Sequence, residues 1–181
     1  MNSAIKHLPL PFAAAAAILT CFTACSDQSA EEPTADTPTV AAVNYPLAYF
    51  AERIGGGTPA VEFPAIDGDP AFWEPDSEDV AAFQEADLVL LNGASYAKWL
   101  PKVSLAQAKL VDTSAGFTAK FISVDGAVTH THGPGGAHVH GEIAFTTWLD
   151  PRLASEQAGA VRDAFSATWP ERKEDFERAY E

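Results

Sequence analysis

Five residues, Asp87-Leu88-Val89-Leu90-Leu91, constrain the fold of this chain more than any others. After Asp87 the run is apolar without alternation, so a strand here has no face to turn to water. It belongs inside a sheet covered on both sides, and Asn92-Gly93 ends it. Val40–Val43, Val61–Phe63 and Leu110–Asp112 fit the same sheet, with Phe121–Val124 as a fifth candidate. Helical patterns lie between them. Pro46 opens a helix over Leu47–Ile54, with Leu47, Phe50, Ala51 and Ile54 at helical spacing, and Gly55-Gly56-Gly57 stops it. Asp76 or Ser77 caps a second helix, running to about Ala86, with Glu78 and Asp79 in the first turn where the helix dipole favours acids. Tyr96–Leu100 reads as a short helix closed by Pro101. Asp150 and Pro151 suit the N-cap and first position of a long helix that runs to about Thr168, breaks near Pro170 and resumes to Glu181. Strands alternating with helices define an α/β fold, a largely parallel sheet flanked by helices. Such sheets bind ligands beyond the carboxyl ends of their strands. The loops there are Asp67–Pro75, Asn92–Tyr96 and the segment before Trp148.

The chemistry concentrates elsewhere. Of five histidines, four fall in one window: His130, His132, His138 and His140. They form two His-x-His pairs around Gly133-Pro134-Gly135-Gly136-Ala137. In an extended backbone, residues i and i+2 share a face. The glycines supply positive-φ positions for a reversal, and proline suits its corner. A hairpin closed there sets His132 opposite His138 and His130 opposite His140. All four imidazoles then share one face, with cross-strand neighbours about 4.5–5.5 Å apart. They could converge on a borderline metal such as zinc, at Zn–N distances of about 2.0–2.1 Å. The alternative is a mobile Gly- and His-rich loop that binds metal transiently.

Composition narrows the function classes. The formal net charge is −14, without a basic patch, which excludes nucleic acid as a partner. Both cysteines, Cys21 and Cys25, lie near the N-terminus, so the rest of the chain has neither a disulfide framework nor a thiolate metal site. Residues 1–25 read as a targeting segment: Lys6 and His7, an apolar stretch Leu8–Phe22, then small residues before Cys25. Phe22-Thr23-Ala24-Cys25 resembles a bacterial lipobox, in which the cysteine becomes the lipidated first residue of the mature protein. Ordinary signal cleavage with release into the periplasm is the alternative. Residues 26–39 are polar, acidic and proline-containing, and read as a tether reaching roughly 20 Å.

From Val40 to Glu181 the chain resembles the solute-binding proteins of zinc and manganese ABC transporters. The stretches that carry the resemblance are Gly68-Asp69-Pro70-Ala71-Phe72-Trp73-Glu74-Pro75, Glu85-Ala86-Asp87-Leu88-Val89-Leu90-Leu91-Asn92-Gly93 and Trp148-Leu149-Asp150-Pro151, with the His-rich loop 129–142 before the last. The resemblance implies two α/β lobes joined by a long backbone helix, with the metal in the cleft between them. Residues 40–149 would be the N-terminal lobe and 150–181 the start of the interlobe helix. The family's first-lobe ligands are histidines in an Asp-Pro-His-x-aromatic-Glu loop and three residues before Leu-Asp-Pro. Here those positions hold Ala71 and Thr146. Alanine cannot ligate, and a Thr hydroxyl is a poor zinc ligand beside imidazole. Metal binding is therefore expected at His130, His132, His138 and His140, with Asp69, Glu74, Glu142 and Asp150 as nearby carboxylates. Asp150 is expected to serve as a helix cap and Glu74 as a solvated charge. Trp73, Phe145 and Trp148 are expected to pack rather than ligate.

Three functions compete. The first is an extracytoplasmic binding protein for zinc, or else manganese or another divalent metal. It would be anchored to the membrane through lipid on Cys25 and would deliver the ion to a membrane ABC permease. The second is a periplasmic metal buffer or sensor that uses only the His-rich loop, or a truncated remnant that does not transport. The third is a zinc hydrolase, against which stands the lack of a His-Glu-x-x-His or Gly-x-Ser-x-Gly pattern.

Overall fold

The computed structural model describes residues 37–181 except 67, 69, 125–128, 132–136 and 140–142, and the backbone alone at 71, 129–131 and 137–139. The targeting segment, Cys25 and most of the tether lie outside the described residues.

Four parallel strands form one sheet in the order β2-β1-β3-β4. β1 is Thr39–Ala42, β2 Ala60–Glu62, β3 Leu88–Leu91 and β4 Leu110–Asp112. β1 and β3 are the interior strands, in the register Val40↔Leu88, Ala41↔Val89 and Ala42↔Leu90. All four residues of β3 are buried, as an unbroken apolar run requires. α1, Tyr45–Gly55, connects β1 to β2, and α2, Ser77–Glu85, connects β2 to β3. These connections run in opposite directions across the sheet, so right-handed crossovers put α1 and α2 on opposite faces.

Helix ends follow local chemistry. α1 starts two residues before the sequence pattern suggests, because the Asn44 side chain accepts from Leu47 N at 3.1 Å and Pro46 sits in the first turn. Gly56, at φ 60°, ends it. α2 begins with a reciprocal capping box: Asp76 accepts from the backbone of Glu78 and Asp79, and Asp79 accepts from Asp76 N. The backbone N–H of Asp79, then that of Glu78, hold the Asp76 carboxyl below its ordinary range. α3, Pro151–Thr168, has Asp150 as N-cap, and after the Pro170–Arg172 turn α4 covers Lys173–Tyr180.

Two expected elements are absent from the described residues. Tyr96–Leu100 is not an α-helix. Gly93, Ala94 and Ser95 form a left-handed turn before it, with φ of 70°, 47° and 59°, and Pro101 has no N–H to close an α-helical bond to Ala97 O. The chain then closes tighter bonds, Leu100 N to Ala97 O and Lys102 N to Trp99 O, around Pro101. Phe121–Val124 does not join the sheet. Ile122 and Val124 are exposed, and the segment makes one antiparallel bridge, Ser123↔Ile143, to the limb returning from the His-rich loop.

One core joins these elements. Leu47, Ala51 and Ile54 of α1 pack with Val161 and Phe165 of α3 and Phe176 of α4 on one side of the sheet. The Phe165 ring lies 5.4 Å from both Trp169 and Phe176. Trp73, Phe83 and Trp99 form a second aromatic group, with centroids 4.9–6.4 Å apart. Phe145 and Trp148 pack edge-on against Tyr96, so these aromatics serve packing, as their burial tendency suggests. Among the described residues, no helix is long and apolar enough to cross a membrane.

Candidate metal centre

The carboxyl ends of β1, β3 and β4 converge on a buried polar network. Asn44 follows β1, Asn92 follows β3, Thr113 follows β4, and Thr147 precedes α3. Gln157, from the second turn of α3, is fully buried and reaches three of them. Its Nε2 donates to Asn92 Oδ1 at 3.2 Å and to Thr113 Oγ1 at 3.0 Å, and its Oε1 accepts from Thr147 Oγ1 at 3.2 Å. Asn92 Oδ1 also accepts from Asn44 Nδ2 at 3.1 Å, while Asn92 Nδ2 donates to Phe145 O at 2.9 Å. Thr113 Oγ1 donates to Leu91 O at 2.8 Å. Every amide and hydroxyl in the set has a partner, and a fully satisfied buried network rigidifies what it joins.

Beside this network the chain makes a tight turn at Gly93. A Cβ at Gly93 would lie 1.9 Å from Ser114 Oγ and 2.3 Å from Asp112 Oδ1. Asp112 Oδ1 already accepts from Ser114 N and Ser114 Oγ, both at 2.9 Å. Only glycine fits, in conformation and in space.

The His-rich segment is a β-hairpin. β5, Thr129–Thr131, pairs antiparallel with β6, Ala137–Val139. The register corrects the expected one: His130 stands opposite His138, not His140. The last pair is Thr131↔Ala137, so the ladder closes on a β-branched residue, which suits a strand better than the histidine expected there. His132 and His140 lie outside the described residues. At the hairpin's base, Ala144 N donates to Ile122 O at 2.9 Å and Ser123 bridges Ile143.

The root opens onto a cleft of about 940 Å³, lined by Lys120, Ile122, Thr146, Thr147, Leu149 and Glu156 among others. Ile122 and Leu149 expose 70% and 73% of their surface. Thr146 is here, and Ala71 lies in the 3-10 turn Pro70–Phe72. Neither position offers a strong donor to zinc. Beside Ala71, the Lys98 ammonium stands 4.5 Å over the Phe72 ring, a positive charge that disfavours a dication at that turn.

The carboxylates are engaged. Glu74 pairs with Lys102 at the surface. Asp150 caps α3 and binds Arg152, and the Arg152 side chain holds its carboxyl down at about 2. Asp69 and Glu142 lie outside the described residues. Among the described residues, no three His, Cys, Asp or Glu side chains gather as a metal site. Of the expected ligands, the structure therefore brings together the backbone positions of His130 and His138.

Sequence reasoning missed the Gln157 network. Its signal was a polar residue on the buried stripe Gln157–Val161–Phe165. A glutamine at that spacing must find partners or carry a large desolvation penalty.

Comparison with known proteins places this arrangement. Residues 40–181 match the family described as ZnuA, zinc-uptake complex component A, periplasmic. The zinc-binding lipoprotein AdcA of Streptococcus pneumoniae is 31% identical over 146 residues, which cover 74% of this chain and 27% of AdcA. A zinc-bound deletion mutant of ZnuA superposes with a TM-score of 0.63 at 27% identity, covering 80% of this chain and 52% of the other. The manganese-bound periplasmic metal-binding protein of Candidatus Liberibacter asiaticus has a TM-score of 0.62 at 18% identity, with 79% and 50% covered, a likeness of fold alone. The chain thus spans about a quarter of AdcA and about half of these solved structures. It shares the α/β fold of such proteins, and by the match over residues 40–181 it belongs to the ZnuA family of periplasmic zinc-uptake components.

Proposed function

We propose that this chain is an extracytoplasmic zinc-binding component of an ABC-type metal uptake system. Its cargo ion would be taken by His130, His132, His138 and His140 and passed to a membrane permease. The family match over residues 40–181 carries the transport reading. The direct pairing of His130 with His138, on a hairpin rooted at the cleft, carries the ligand assignment. Lipid on Cys25, with residues 26–39 as tether, would hold the lobe near the permease. Zinc is the preferred ion because neutral imidazoles suit it, whereas manganese favours oxygen donors. The ligands must be deprotonated to bind, so the ion would leave as pH falls through the ordinary imidazole range near about 6.5.

A second reading, a periplasmic metal buffer or sensor, is favoured by Ala71 and Thr146, which remove strong donors from the cleft. Affinity separates the two. A transport receptor binds one zinc tightly per chain, and a buffer binds loosely with variable stoichiometry. The deciding experiment is equilibrium zinc titration of the full chain beside the variant with all four histidines changed to alanine. Loss of binding in the variant supports the hairpin as ligand source. Undiminished binding places the ion elsewhere and sinks the assignment.

A further inference from the structure

We propose that the Gln157 carboxamide is a positioning residue for metal binding: it fixes the point at which the His-rich hairpin leaves the lobe. The proposal rests on the reading of that hairpin as the metal-binding element.

The route is a continuous set of hydrogen bonds. Gln157 Nε2 donates to Asn92 Oδ1 at 3.2 Å, and Asn92 Nδ2 donates to Phe145 O at 2.9 Å. Phe145 follows Ala144, whose N–H donates to Ile122 O across the hairpin's base at 2.9 Å. On its other side, Gln157 Oε1 accepts from Thr147 Oγ1 at 3.2 Å. The returning limb of the hairpin is therefore held at Phe145 and at Thr147, two residues apart, by one pair of buried amides. Gln157 also grips Thr113 beyond β4 at 3.0 Å, so the limb is tied to the sheet and not only to its own helix.

A glutamine that merely fills space would not need this arrangement. A methionine would occupy the same volume without a donor or acceptor. A carboxamide can donate twice and accept in a single plane, and at Gln157 it does so toward three segments. Groups that orient a metal's ligands from behind matter to affinity without touching the ion.

The test measures zinc affinity and the visible spectrum of the cobalt(II)-loaded full chain, which reports ligand geometry. Gln157→Met removes the amide. Thr147→Val, nearly isosteric, removes the hydroxyl that Gln157 accepts, and carries the test if Gln157→Met does not fold. Both are expected to weaken zinc binding by roughly tenfold, the low end of what removing a ligand-orienting partner does, and to alter the cobalt spectrum. Thr147→Ser keeps the hydroxyl and should restore both. Phe176→Leu, in the core of α4, loosens packing far from the network and should lower the melting temperature with zinc affinity unchanged. The proposal is overturned if Gln157→Met and Thr147→Val melt earlier but bind zinc with the wild-type affinity and cobalt spectrum. It is equally overturned if Phe176→Leu weakens zinc as much as they do. Failure of the underlying reading looks different: the variant with all four histidines changed to alanine would bind zinc as the wild type does.

Discussion

The parallel sheet and the His-rich hairpin are both β structure, yet opposite means hold them. The sheet's interior strands bury Val40, Ala42, Val89 and Leu90 completely, and covering helices exclude water from both faces. The hairpin has three paired positions per strand, drawn from Thr-His-Thr and Ala-His-Val, and a connection rich in glycine. A two-stranded ribbon of that kind is marginal alone. The fold and the candidate chemistry thus sit in separate regions, joined at Ile122–Ser123 and Ile143–Phe145. Damage confined to the sheet's apolar core should spare the hairpin, and the reverse.

The sharpest way to break this separation is a core deletion. Leu90→Ala removes a fully buried side chain from an interior strand, and should destabilise the lobe by about 2–5 kcal/mol in chemical denaturation. Zinc affinity of the molecules that remain folded should not change. The converse variant, all four histidines changed to alanine, should stay within about 0.5 kcal/mol of the wild type, since none of the four belongs to the described core of the lobe. If Leu90→Ala abolishes metal binding in the folded fraction, the two regions are not independent.

How much of this was legible in the sequence follows the same division. β4 at Leu110–Asp112 and the start of α3 at Asp150-Pro151 were readable to the residue, because local chemistry alone decides them. Phe121–Val124 was not, since its bridge partner, Ile143, is twenty residues away and tertiary packing chose it over the sheet. Tyr96–Leu100 failed for a different reason. Nothing in the residue types of Ala94 or Ser95 announces the positive-φ turn before it, and the five residues then left ahead of Pro101 are too few to close an α-helix. In the hairpin, the alternation of histidines was visible but its register was not. A slide of one residue along each strand keeps the loop length and changes which histidines face each other.

The left-handed turn offers a smaller and cleaner test. Ala94 and Ser95 both carry a Cβ at positive φ, a conformation that disfavours L-residues by roughly 1–2 kcal/mol each. Ser95 is exposed, so its replacement disturbs little packing. Ser95→Gly relieves the strain but adds backbone freedom to the unfolded chain, so the net gain should be about 0.5–1 kcal/mol. Gly93→Ala goes the other way, because its Cβ would strike Ser114 Oγ and Asp112 Oδ1. Ser95 takes no part in the hydrogen bonds that join Gln157, Asn92 and Phe145, so Ser95→Gly should leave zinc affinity unchanged. A shift in affinity with Ser95→Gly would mean that the turn contributes to the metal site.

The smallest effect lies at Asp150, the N-cap of α3. Its carboxyl is held down at about 2, first by the Arg152 side chain and then by the Arg152 backbone N–H. A carboxyl whose pKa is lowered on folding favours the folded state when ionised. That contribution is complete above the unfolded value near about 4, and is lost as pH falls toward 2. Asp150→Ala should therefore melt slightly below the wild type at neutral pH, with the gap closing between about pH 4 and 2. Salt should narrow the gap as well, since the group is exposed to solvent and its ion pair is screened. On the proposed histidine ligands, metal release should follow the imidazoles instead, at a pH more than two units higher, near about 6.5. One acid titration that follows both melting temperature and bound zinc should show two separated steps. A single shared step would mean that the helix cap and the hairpin unfold together, and that the junction transmits what the core does not.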